Sequence, residues 1–123
     1  MASGGSEFGR SGRLNGHDLR RIAPVPPLID EPLGVLFGLP MPMAGAFGLR
    51  GTHLGSHRVR VAMPANPAYT NSRGDVHGGA ISVLLDCTLA SAARSHDPTA
   101  FGVATVDITI HYLAPVRGGV ESA

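Results

Sequence analysis

The sequence predicts an α+β domain in which an antiparallel sheet wraps one long central helix. Three segments point there. From Gly78, the run GGAISVLLDCTLASAAR holds no proline and no glycine after Gly79, and it is rich in Ala and Leu, which favour helix. Residues 57–63, HRVRVAM, alternate polar and apolar side chains. Residues 101–113, FGVATVDITIHYL, put Val106, Ile108, Ile110 and Tyr112 on one side and Thr105, Asp107, Thr109 and His111 on the other. A period of two marks a strand.

Residues 1–21 are rich in Gly, Ser and Arg, with few large apolar groups. Such a segment rarely orders, or it is a fusion remnant that takes no part in the fold. Residues 22–123 read as a single domain. IAPVPP, residues 22–27, is Pro-rich and expected to be extended. Asp30 is then expected to cap a short helix, with Glu31 and Pro32 in its first turn. Leu33, Leu36 and Phe37 would share one face, and Pro40 would end it. Residues 41–49, MPMAGAFGL, read as a loop or an irregular first strand. HRVRVAM reads as a half-buried antiparallel strand, with Val59, Val61 and Met63 facing one way. PANPAYTNSRGD is a loop, by its Pro, Asn, Ser and Gly.

The helix from Gly78 to about Ser95 carries one charge between Ala80 and Ala93, that of Asp86. Its apolar residues lie all round, which predicts a buried helix. SHDP stops it, with Pro98 just beyond. Pro115 and Gly118–Gly119 end the last strand. Two or three strands make a thin cover for such a helix. Further strands, a second subunit, or both are expected.

Composition excludes several function classes. The formal net charge is +1, which is no footprint for nucleic acid. Every basic residue is Arg, which suits bidentate phosphate contacts but also follows from biased base composition in the gene. Cys87 is a single cysteine, so no internal disulfide forms. No apolar run reaches the length of about 18 residues that a spanning helix needs. MASGGSEFGRSGR lacks the apolar stretch of a secretory signal. A cytoplasmic, reduced setting without membrane or nucleic-acid partners is expected. His53 and His57 lie four apart but straddle Gly55, and no HExxH or Cys/His cluster accompanies them, so no metal is expected. No GxSxG elbow is present. Cys87 reads as a core residue, because nothing nearby would lower its pKa.

Chemistry concentrates in NSRGDVHGG, residues 71–79, and in Asp86. The loop enters the helix through two glycines. A first helical turn leaves backbone N–H groups without partners. Glycine lets a ligand approach them, and the helix dipole adds partial positive charge. The result suits a carbonyl oxygen that becomes negative during attack. The same glycines equally serve as a plain helix start. Asp86 is a carboxylate in an apolar helix, costly unless hydrogen-bonded, paired or protonated. It is either functional or satisfied by a local hydroxyl or by an Arg such as Arg73. Gly78 and Asp86 lie eight residues apart, about 12 Å along one helix axis. One substrate carbon cannot touch both. If both act, the second comes from an antiparallel neighbouring helix, which a two-fold dimer supplies.

NSRGDVHGGAISVLLD, followed about twenty residues on by VATVDITIHYLAP, resembles the hotdog-fold thioesterases of the phenylacetic-acid-degradation type. It is also similar to the 4-hydroxybenzoyl-CoA thioesterases and to mammalian acyl-CoA thioesterases of that branch. The resemblance runs from about Leu33 to Gly119. It implies a hotdog fold whose sheet continues across two subunits, as a homodimer or a dimer of dimers. It implies hydrolysis of an aryl- or medium-chain acyl-CoA with no cofactor. Gly78 would donate its N–H to the thioester carbonyl. Asp86 of the facing subunit would be nucleophile or general base. Asn71 would position water or the thioester, and Thr105 would stand near the carboxylate. His77 would hold the loop or the sulfur side of the thioester, or make a structural hydrogen bond. Gly79 and Arg73 would complete the substrate-binding set. Arg58, Arg60, Arg73 and Arg117 are candidates for the phosphates of coenzyme A.

Two departures from the family pattern stand out. The family continues with two more long strands, so this domain reads as C-terminally truncated. A non-catalytic acyl-CoA-binding module, or an inactive fragment, is the alternative. Strand alternation also places Thr105 opposite the apolar face and away from Asp86. A bulge near Gly102 or a position at the dimer edge would reverse that.

Overall fold

The structure is a computed structural model that describes residues 27–97 and 102–117. The segment 1–21 and most of IAPVPP lie outside the described residues. In chain order the elements are β1 (Val35–Leu36), β2 (Leu39–Pro40), α1 (Pro42–Ala46), β3 (Arg50–Gly55), β4 (Arg58–Ala62), a 3-10 turn (Pro67–Tyr69) and α2 (Gly78–Ala93).

The helix expected after Asp30 does not form. Its place is taken by a tight hairpin, with Leu36 opposite Leu39 and Val35 opposite Pro40. Phe37 and Gly38 both have positive φ, 50° and 80°, at the two turn positions. Two such residues twist a two-residue turn to match its strands. Capture of the backbone explains why Phe37 tolerates this. Glu31 Oε1 accepts the Phe37 N–H at 2.6 Å, and the buried Arg94 guanidinium donates to Leu36 O at 2.8 Å. Leu36 and Phe37 thereby enter the core together.

Residues 41–49 are neither loop nor strand throughout, since α1 occupies Pro42–Ala46. Proline in the first turn suits a helix start. β4 agrees with the alternating pattern, and Val59, Val61 and Met63 all pack against the buried cluster. Its partner β3 was not legible in RGTHLG. The two strands pair antiparallel, with His53 opposite Arg60 and a shift in register between Gly51 and His53. Gly51 is required there, because a Cβ would lie 2.6 Å from the Phe37 ring.

α2 lies against β4 and α1, and it sends Val83, Leu84 and Cys87 to the cluster of Leu36, Phe37, Ala44 and Leu49. Its hydroxyls are satisfied within the helix. Ser82, Thr88 and Ser91 donate to the carbonyls of Gly78, Leu84 and Cys87. The expectation of burial all round is corrected, since Leu85 and Leu89 are exposed.

Residues 102–117 form no strand and make no ladder among the described residues, apart from a bridge between Asp75 and Arg117. The alternation there is real in sequence, yet a strand needs a partner backbone to be one. Two antiparallel hairpins and one long helix make this an α+β fold, consistent with a hotdog whose sheet is incomplete among the described residues. Among the described residues, no helix is long and apolar enough to cross a membrane.

Candidate active site

The loop before α2 is built by Asn71. Its Oδ1 accepts the N–H groups of Arg73 at 2.9 Å and Asp75 at 3.2 Å, and its own N–H donates to Asp75 O at 2.8 Å. Gly74, at φ 80°, closes the turn. Arg73 Nε lies 3.9 Å from Asp75 and is otherwise solvated, so it does not reach Asp86. The side-chain oxygen of Asn71 is therefore committed to the loop, and its amide nitrogen is the group left for a ligand.

His77 caps α2. Its Nδ1 accepts the Gly79 N–H at 2.9 Å, and its backbone N–H donates to Tyr69 O at 2.7 Å. Its carbonyl accepts from both Ala80 N at 2.9 Å and Ile81 N at 3.2 Å. Of the first four donors of the helix, Gly79, Ala80 and Ile81 are thus satisfied locally. Gly78 N–H has no partner among the described residues. That separates the two glycines: Gly79 serves the cap, and Gly78 is the open donor. Gly78, Asn71 and Tyr112 line a cavity of about 620 Å³. A second, more apolar cavity of about 590 Å³ shares the walls Val76, Ile81 and Val116 and continues past Met63, Tyr69 and Leu84.

Asp86 lies in a different cavity of about 470 Å³, between α2 and residues 103–108. Thr105 Oγ1 donates to its carboxylate. The predicted divergence of these two residues is corrected. A bend at Val106, which leaves that side chain 99% exposed, breaks the alternation and turns Thr105 toward the helix. Further along, Tyr112, from the even-numbered face, also meets α2. Its hydroxyl donates to Gly78 O at 2.9 Å and lies 2.5 Å from Ser82 Oγ. Neither Tyr112 nor Ser82 stood out in sequence, because a tyrosine in an apolar stripe reads as core.

Cys87 is buried, and its thiol is pushed up, first by burial and then by the neighbouring Asp86 charge. A thiol held neutral is a poor nucleophile. The chain therefore carries an open donor with Asn71 at one end of α2 and a carboxylate with Thr105 two turns on.

Residues 73–121 match the thioesterase superfamily. The matched span holds Gly78, Asp86, Thr105 and Tyr112 and begins just after Asn71. The chain is also 40% identical over 65 residues to a protein of Halobacterium salinarum inferred to be an esterase. That match covers 49% of this chain and 43% of the relative, so the chain spans less than half the length of the curated relative it matches.

Proposed function

We propose that the chain is part of an acyl-CoA thioesterase whose site is shared between two subunits. One observation carries this reading: among the described residues Gly78 N–H is the donor of the first turn left without a partner, and Gly78 lines a cavity whose walls do not include Asp86. A carbonyl oxygen seated on Gly78 N–H would gain a hydrogen bond that strengthens as negative charge develops. The His77 carbonyl of the same peptide unit accepts two hydrogen bonds, which polarises that N–H further. The carboxylate for the attack comes from Asp86 of a facing subunit, as nucleophile or as general base for water. Thr105 holds that carboxylate in place, and the Asn71 amide nitrogen orients water or thioester. His77 acts on the loop and not on the sulfur.

The apolar second cavity supports a hydrocarbon acyl group, aryl or of medium length, entering past Val76 and Ile81. Coenzyme A leaves as the thiol, with Arg73 or Arg117 near the mouth as candidate phosphate partners. The working unit is a homodimer or a dimer of dimers in the cytoplasm. Free-thiol release from phenylacetyl-CoA and a short acyl-CoA series tests the reading, with Asp86→Asn as control. Release that disappears in the variant is expected. Release unchanged by the variant refutes the mechanism.

A further inference from the structure

We propose that Tyr112, together with Ser82, is a positioning residue that aims the Gly78 N–H into its cavity. This inference rests on the thioesterase reading for its effect on rate, but not for its geometry. Gly78 has no side chain to fix it, and as the first helical residue it has no hydrogen bond on its own nitrogen. Its N–H shares a peptide plane with the His77 carbonyl, which Ala80 and Ile81 hold, and the adjoining plane is held at Gly78's own carbonyl. Tyr112 Oη donates to Gly78 O at 2.9 Å, and Ser82 Oγ stands at 2.9 Å from the same oxygen. The two hydroxyl oxygens are 2.5 Å apart. Each hydroxyl has one proton, so two of these three contacts are hydrogen bonds at any moment. One arrangement sends both protons to Gly78 O. Another sends the Ser82 proton to Tyr112 Oη, which strengthens the tyrosine as a donor. Either way the Gly78 carbonyl stays engaged.

The ring completes the clamp. A Cβ on Gly78 would lie 3.4 Å from Tyr112 Cζ, so the ring already covers that side of the glycine. His77 holds the next N–H through Gly79. The Gly78 residue is therefore gripped on its carbonyl, on its Cα side and through its successor. Its N–H is the group left without a hydrogen-bond partner among the described residues. Tyr112 also lines the same cavity as Asn71, so the residue that fixes the donor is itself a wall of the space the thioester would occupy. Pre-aimed donors matter because misplacement by about 1 Å costs on the order of 100-fold in rate.

Tyr112→Phe keeps the ring and removes the clamp's phenol. Two readouts are taken on the full chain: kcat and KM on phenylacetyl-CoA, and the position and order parameter of the Gly78 amide by 15N NMR, with the Ala90 amide as internal reference. The expected result is a fall in kcat of about 10- to 100-fold with KM within about twofold, since an aimed donor acts mainly in the transition state. The Gly78 amide loosens while Ala90 is unchanged, and Ser82→Ala gives a weaker version of both effects. A Gly78 amide that keeps its position and order in Tyr112→Phe overturns the clamp, whatever the rate does. A loosened amide with unchanged kcat overturns the positioning role. If the unmodified chain releases no thiol, the thioesterase reading fails, and the amide measurement still decides the clamp.

Discussion

Thr105 Oγ1 donates a hydrogen bond to the Asp86 carboxylate across the gap between α2 and the segment 102–117. A bend at the very next residue makes this possible. The contact gives a half-exposed carboxylate in an otherwise apolar stretch of helix a fixed direction. It also means that one interaction ties Asp86 of α2 to a segment that has no ladder partner of its own among the described residues.

Thr105→Val keeps the shape of that side chain and removes the hydroxyl. A hydrogen bond to a charged group contributes about 1.5–3 kcal/mol when well shielded, and this one is partly solvated. We expect kcat/KM to fall roughly tenfold, with thermal stability little changed. Equal kinetics for the two proteins would remove Thr105 from the site.

A composite site makes a specific demand on mixed dimers. Gly78→Pro deletes the open N–H at a helix position that tolerates proline, and Asp86→Asn deletes the carboxylate charge. Each variant alone should be inactive. Co-refolded in equal amounts, half the dimers are mixed and each carries one intact site of two, so about a quarter of the original activity should return. Mixtures as inactive as their parents would place both groups in one protomer, or neither in the site.

Gly51→Ala should destabilise the fold without touching the site. The new methyl would meet the Phe37 ring at 2.6–2.8 Å, and the ring is held by a turn whose carbonyls bond Arg94. Overpacking of this kind costs about 1–3 kcal/mol. Chemical denaturation should show a lower midpoint with the same slope. A midpoint unchanged within error would show that Phe37 moves freely.

Cys87 gives a pH signature. Burial and the Asp86 charge raise its thiol above the ordinary value of 9.0, so the folded chain favours the neutral form. The stabilisation is fully present below the ordinary value. It is lost as pH rises from there through the raised folded value, because the unfolded thiol ionises first. Denaturation midpoints should therefore decline above about pH 9 and decline less in Cys87→Ala. Alkylation of the native thiol at neutral pH should be much slower than that of the unfolded chain. Rapid native alkylation would contradict the burial.

The elements that sequence alone determined are those whose physics is local. α2 was legible because sixteen residues without an internal breaker, rich in Ala and Leu, leave the backbone little alternative. β4 was legible because Val59, Val61 and Met63 repeat at the period of a pleat. The loop of Asn71 and the donor at Gly78 were legible because glycine and Asx chemistry act within a few residues. The separation of Gly78 from Asp86 followed from helix rise alone.

Tertiary structure decided the rest. The β1–β2 turn places Phe37 at a positive φ that local propensity disfavours, and only Glu31 and Arg94, six residues before and fifty-seven after, hold it there. β3 carries glycines that weaken its pattern, and Gly51 exists to admit a ring from another hairpin. The bend at Val106 overrides a period of two that was correct as a pattern, and with it the expected direction of Thr105 reverses. Tyr112 looked like one more apolar residue until the fold set its hydroxyl on the Gly78 carbonyl. Periodicity reports which face a side chain takes relative to its neighbours in the chain. It carries no information about what waits on that face, and long-range hydrogen bonds are settled there.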